Sequence, residues 1–244
     1  MSSTTWTPRA VASRAKPVGL ALWRAVEAQH AVSTMRLTDG VAEQRVLEGI
    51  LEESKPLVPP EARELHYLLS TPFRYPSPHG SRFRTPGDPG VLYGAEEPRT
   101  ACAELGYWRW HFFTENTNLS QLGRLGPVPH TLFRAGIDTN GVDLRERPFV
   151  RAAARWTDPG NYAGTQAFAE TARAAGLGAI RYQSVRDPEA GACVAALRPE
   201  AFKPKRPTIE RTWFLTVTPH AVTWQRDGSD FEFSTDLPTW TVWP

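Results

Sequence analysis

The sequence predicts an α+β fold in a single domain, and three observations carry that expectation. With 244 residues and 41% apolar content the chain can bury a sizeable core. Its 22 prolines and 18 glycines cut it into many short elements joined by turns. A few segments repeat apolar residues at helical steps, several others alternate like strands, and the stretch after Pro207 reads as an antiparallel meander.

The elements can be justified in order. Residues 1–15 combine Ser, Thr and basic residues without an acid, and a flexible N-terminal tail is expected there. The main domain is expected over residues 16–206 and opens on a strand at Leu20 to Arg24. Asp39 can cap a helix over Val41 to Glu53, with Val46, Leu47, Ile50 and Leu51 on its inner face. Gly87-Asp88-Pro89-Gly90 is a turn signal, Val91-Leu92-Tyr93 a short strand and Gly94-Ala95 its end. Pro98 suits the first position of a helix, where its missing N–H costs nothing, and Glu96 and Glu97 meet the positive end of the dipole. Ala101, Leu105, Trp108 and Phe112 recur at three- and four-residue steps, so the spacing predicts a helix from Pro98 to Phe112 with that stripe buried and Glu104 on its flank.

Thr131 to Arg134 alternates like a strand. Asp158-Pro159 begins a second strong helix through Ala175, with Tyr162, Phe168, Ala169 and Ala172 toward the core and Gly176 or Gly178 closing it. Ala179 to Tyr182 and Ala192 to Leu197 read as neighbouring strands that would place Ser184 at a sheet edge. Over residues 207–244, Trp213 to Val217, Val222 to Arg226 and Phe231 to Ser234 are strand-like, and Asp227-Gly228 is a hairpin signal. This C-terminal meander is expected to pack on the same domain, with Trp240 and Trp243 buried against something.

Composition excludes several classes of function. A net charge of +2, with no block of five basic residues, does not fit a nucleic-acid binder. No run of about 18 apolar residues is present to span a membrane, and Val18 to Trp23 is too short for a signal-peptide core. Two cysteines make no disulfide framework, which points to a reducing, cytoplasmic compartment. The histidines show no metal-ligand spacing with one another or with Cys102 and Cys193, so no metal is expected. No Gly-x-Gly-x-x-Gly or phosphate-loop signature appears.

The segment from Phe73 to Glu104 concentrates the chemistry. It holds Arg74-Tyr75, the cluster Arg82-Phe83-Arg84, Tyr93 at the end of an apolar run and Glu104 one helical stretch later. Arginine forks match phosphate oxygens, tyrosine rings stack on flat heterocycles, and a carboxylate can stabilise positive charge developing on a sugar. Together they suit the binding and cleavage of a dinucleotide such as NAD.

These motifs, followed by Tyr182-Gln183-Ser184-Val185-Arg186, fall in the order of the RES-domain family, which the chain resembles from roughly Leu22 to Phe202. Where short members carry Gly-Gly-Arg-Trp-Asn, this chain has Gly80-Ser81-Arg82-Phe83-Arg84, and its N-terminal region is more like that of the long branch. The resemblance implies an ADP-ribosyltransferase-like domain of mixed and antiparallel sheet flanked by helices. It also implies the toxin of a bacterial toxin–antitoxin module that consumes NAD, by hydrolysis or phosphorolysis at the nicotinamide–ribose bond or by transfer of ADP-ribose to a protein. The implied partner is an antitoxin of the Xre, helix-turn-helix type covering the active-site cleft.

On this reading Glu104 stabilises the oxocarbenium-like state. Arg74 and Arg82 grip the pyrophosphate, and Tyr75 or Tyr93 stacks on nicotinamide or ribose. The Ser184 hydroxyl either bonds ribose or orients the glutamate. A non-catalytic nucleotide-binding module is the competing class.

Overall fold

The computed structural model describes residues 6–28, 40–75 and 78–241. Its first element is already packed. Helix α1 (Pro8–Ala12) starts at Thr7, whose hydroxyl accepts the Ala10 N–H. Val11 is buried, and the Trp6 ring lies 4.6 Å from that of Phe149. The flexible tail expected over residues 1–15 is therefore corrected for its described part: two apolar side chains anchor a helix too short to show a period in sequence.

Strand β1 (Lys16–Glu27), helices α2 (Val41–Glu53) and α3 (Tyr67–Arg74), strand β2 (Leu92–Ala95) and helix α4 (Pro98–Glu115) follow. Next come α5 (Thr117–Ser120), the long strand β3 (Leu125–Asp143), α6 (Ala153–Trp156) and α7 (Ala163–Ala174). The chain ends in β4 (Ala179–Gln183), β5 (Ala192–Ala196), β6 (Ile209–Val217), β7 (Ala221–Arg226) and β8 (Ser229–Ser234).

All eight strands join one sheet in the order β1-β2-β5-β4-β3-β6-β7-β8, and β1 also pairs with β3 along its whole length. Five strands thus return on themselves, with β6 to β8 as an extension. Pairing is antiparallel except between β3 and β4. The joint between β1 and β2 is narrow: among the described residues it is made at Trp23↔Ala95. A Cβ on Gly94 would come within 2.6 Å of Leu22 Cδ1 and 2.9 Å of the Trp23 carbonyl, so the close approach of these strands requires glycine there.

Side chains alternate between two packed faces, as a strand's period of two dictates. Val18, Leu22, Phe133, Val194 and Ala196 pack with Leu68, Leu69 and Phe73 of α3. Ala25, Ala95, Ile180, Tyr182, Cys193 and Ala195 pack with α4 and α7.

The helices show where periodicity informs and where it misleads. Helix α2 has the expected bounds, but Gly40 occupies its cap without a side-chain bond, and Asp39 lies outside the described residues. Its expected inner face is outward: Val46 is 62% and Ile50 59% exposed, Leu51 is exposed too, and the buried residue is Gln44. Spacing identifies residues that share a face without saying that anything covers it. Helix α4 begins at Pro98 as expected and runs three residues further, but it buries Thr100, Ala103, Gly106, Tyr107 and Phe113. Trp108 and Phe112 of the expected core stripe are exposed.

Helix α7 starts later than expected because Asp158 makes a turn, its Oδ1 accepting the N–H groups of Gly160 and Asn161. Phe168, Ala169 and Ala172 are buried, and Gly176, at φ +78, lets the Leu177 N–H reach the Ala172 carbonyl.

The meander continues the main sheet through β6 on β3, and Asp227-Gly228 forms its two-residue turn between Arg226 and Ser229. Trp240 is buried, and Trp243 lies outside the described residues. Ser184 follows the end of β4, an interior strand, so the expected sheet-edge position is corrected. Among the described residues no helix is long and apolar enough to cross a membrane.

Candidate functional site

A cavity of about 250 Å³ opens at the narrow β1–β2 joint. The strands contribute Trp23, Arg24, Tyr93, Tyr182 and Cys193, helix α4 contributes Ala101, Glu104, Leu105 and Trp108, and loops add Ser81, Arg82 and Tyr162. The apolar stripe that spacing assigned to the core of α4 is, over Ala101, Leu105 and Trp108, a wall of this cavity.

Glu104 is held from behind. The Ser184 hydroxyl donates to its Oε1 at 2.5 Å, and the Cys193 thiol lies 3.9 Å from the same oxygen. Ser184 is 2% exposed, and its Oγ accepts the N–H groups of Arg186 and Asp187 at 3.2 and 3.0 Å. With two amides donating in, the one hydroxyl proton is directed at the carboxylate. Of the two open roles for Ser184, the geometry favours orienting the glutamate over touching a sugar. Among the described residues no basic side chain forms an ion pair with Glu104. Burial and the Glu104 charge push the Cys193 thiol well above its usual range, so it is neutral.

The loop carrying Arg82 is closed by a bridge between Ser81 and Arg84. The Gln166 amide of α7 donates to both the Ser81 and Arg84 carbonyls, at 3.1 and 3.2 Å. The Tyr93 hydroxyl lies 2.8 Å from Ser81 Oγ and accepts the Phe83 N–H at 3.0 Å, so it ties the loop to β2, and the residue lines the cavity. Burial raises the Tyr93 pKa, against the hydrogen bonds from Ser81 and Phe83, which keeps the phenol protonated at neutral pH.

Arg82 itself is 7% exposed. Its Nη1 donates to the carbonyls of Trp156 and Asp158, both at 3.0 Å, and its guanidinium lies 4.5 Å from the Tyr162 ring centroid. Among the described residues its buried Nη2 has no hydrogen-bond partner. A cation held by carbonyls and a ring keeps its charge uncancelled, and a spare N–H on it is a place for an anion.

Arg24, which motif order did not single out, lines the same cavity from β1. Its Nη1 donates to the Tyr93 carbonyl at 2.6 Å, and its buried Nε has no hydrogen-bond partner among the described residues. Burial lowers its pKa to about 10, still far above neutrality, so it remains a cation. The available signal was a lone arginine inside the apolar run Leu20-Ala21-Leu22-Trp23-Arg24-Ala25-Val26. Spacing assigns Tyr162 and Trp108 to the core, because a cavity-lining ring and a core ring have the same spacing.

The structure brings Glu104, Tyr93, Arg82 and Ser184 together and leaves Arg74 and Tyr75 apart. Arg74 closes α3 with its Nη1 2.6 Å from Glu52 Oε1 and its Nε 2.6 Å from the Pro56 carbonyl. Tyr75 is exposed, 5.9 Å from the Arg74 guanidinium. Neither lines the cavity. Among the described residues no group of three or more His, Cys, Asp or Glu side chains could hold a metal ion.

Among solved structures the chain is similar to the M. tuberculosis MbcT–MbcA toxin–antitoxin complex. The TM-score is 0.49 at 11% sequence identity, over 85% of this chain and 92% of that one. No curated protein matches the sequence. A family model, the RES domain, matches residues 58–218. That match covers most of the sequence and includes Arg82, Tyr93, Glu104 and Ser184, and on it the chain belongs to the RES domain family.

Proposed function

We propose that this chain is the toxin of a bacterial toxin–antitoxin pair and cleaves NAD at the nicotinamide–ribose bond. The observation that carries this reading is Glu104, a cavity-lining carboxylate with one oxygen fixed by Ser184 and, among the described residues, no cation paired with it. Such a group is poised for positive charge that appears only during reaction. The bond from nicotinamide nitrogen to ribose C1′ breaks with both electrons going to the ring, so nicotinamide leaves neutral without a general acid. The oxocarbenium-like sugar left behind faces Glu104 until a nucleophile adds to C1′.

Arg82 and Arg24 supply N–H groups for the pyrophosphate, replacing the pair Arg74 and Arg82 expected from motif order. Trp108, Tyr162 and Tyr93 supply ring faces for nicotinamide and ribose. Water, phosphate or a protein side chain would meet the same carboxylate. The cytoplasm as site of action, the domain limits 16–206 and 207–244, and an antitoxin of the Xre type closing the cleft belong to the same proposal. Trp108, exposed and lining the cavity, and the exposed Phe112 one turn further along α4 support a protein partner there.

The test is incubation of the purified protein with NAD labelled in its adenine half, with and without phosphate and lysate. Nicotinamide release with label in ADP-ribose or its phosphorylated form supports a degrading toxin. Label on a lysate protein supports transfer. No nicotinamide in any condition leaves the non-catalytic module.

A further inference from the structure

The family match ends at residue 218, yet the chain beyond it reaches back to the candidate site. Trp240 is 1% exposed, and its indole N–H donates to the Arg186 carbonyl at 2.7 Å. Its ring packs on those of Tyr107, Trp110 and Phe233, with centroids 5.7, 5.9 and 6.2 Å away. The Arg186 guanidinium, equally buried, donates to the backbone carbonyls of Thr239 and Pro159 and lies 3.6 Å from the Tyr107 ring centroid. One residue thus grips the C-terminal turn with its side chain and is gripped by it at its carbonyl.

That residue is also a neighbour of the site's own hydrogen bonds. The N–H groups of Arg186 and Asp187 are the two donors that fix Ser184 Oγ, and Ser184 holds Glu104. Asp187 is secured from the other side by Arg99 and by the Thr100 hydroxyl at 2.7 Å, both on α4, the helix that carries Glu104. The loop therefore spans two anchors, α4 and the C-terminal turn. A shift at either would turn the Ser184 proton away from the carboxylate.

We infer that Trp240 and Arg186 are positioning residues: the C-terminal turn clamps the Ser184–Asp187 loop and, through Ser184, sets the Glu104 carboxylate. The role rests on the reading of Glu104 as the catalytic carboxylate, and the clamp itself can be measured without turnover. Trp240→Phe keeps an aromatic ring in the pocket but removes the N–H together with part of the indole's volume, so the sheet's own protection is read beside it as the control for lost packing. Arg186→Lys keeps the charge but cannot bond two carbonyls and cover the Tyr107 face at once.

In both variants, amide hydrogen exchange at Arg186 and Asp187 is expected to rise about tenfold while β4 and β5 stay protected. For nicotinamide release, kcat is expected to fall about five- to tenfold with KM within about twofold. Unchanged exchange at the two amides in a folded variant overturns the clamp, whether or not the wild-type protein consumes NAD. Exchange rising across the whole sheet overturns it as well, since the residues would then serve only the fold. In an active enzyme, loosened amides with unchanged kcat overturn the positioning role. A wild type that releases no nicotinamide removes the functional reading and leaves exchange to decide the clamp alone.

Discussion

The loop at Ser81–Arg84 and the arm formed by α2 and α3 each present an arginine beside aromatic rings, and they use it in opposite ways. Arg82 is buried against two carbonyls and the Tyr162 ring, with an N–H left over. Arg74 is bonded to a carboxylate and a carbonyl at the surface. The apolar side chains repeat the contrast. Those of α4 wall a cavity, whereas Val46 and Ile50 of α2 stand in solvent. On the proposed function, what separates Arg82 from Arg74 is its partners together with its place on the cavity: carbonyls and a ring orient a guanidinium without cancelling its charge, and a carboxylate cancels it.

The sharpest way to break the comparison is at its centre, the carboxylate without a cation. Glu104→Gln keeps the shape and the bond from Ser184 but removes the charge. The expected result is a loss of about 10²-fold or more in kcat for nicotinamide release, with NAD affinity nearly unchanged. Equal loss of affinity, read by calorimetry on the same variant, would make Glu104 a binding group instead. In bacteria the wild-type chain should arrest growth as NAD falls, and Glu104→Gln should relieve both.

Next in size are the two cavity arginines. Arg24→Lys and Arg82→Lys should each weaken NAD binding by about tenfold, because an ammonium cannot fork across two phosphate oxygens or lie flat on a ring. Arg74→Lys, the same change in the arm, should leave affinity within about twofold. If all three variants behave alike, the distinction by partner fails and motif order alone would be the better guide.

Much of this site is legible in the sequence, and what is missing has physical causes. Pro98 marks the start of α4, Asp227-Gly228 its own turn, and Arg82, Tyr93 and Glu104 follow from residue chemistry and order. An Arg-Tyr pair at 74–75 satisfies the same order, but a local motif cannot reveal that Glu52 is waiting for it. Arg24 is the converse case. It reaches the cavity because β1 pairs with β3 along its length and meets β2 at Trp23↔Ala95, and a pairing between distant strands leaves no local trace. The α4 stripe misleads for a third reason, since a helix lying between core and cavity is apolar on both sides.

The smallest effect concerns acid. The Glu52 carboxyl is held below its ordinary value of 4.5 by hydrogen bonds from Lys55 and then Arg74, outweighing desolvation. A depressed carboxylate stabilises the folded state above its unfolded pKa, and that contribution is lost as pH falls through the folded value. Below about pH 4.5 the arm should therefore loosen, read as faster amide exchange in α2 and around Arg74. The Ser81–Arg84 loop has a carboxylate neighbour of its own, Asp88, likewise held low against desolvation, which accepts the Thr85 N–H and hydroxyl. The loop is therefore followed in Asp88→Asn, where its exchange should hold level through the same step. Arg82 has carbonyls and a ring as its partners, and none of these takes up a proton in that range. Arg74→Gln should abolish part of the pH step in the arm, because the arginine is one of its two causes. A loop that loosens together with the arm would mean that the two arginines share a titrating support, and the contrast between them would be one of burial alone.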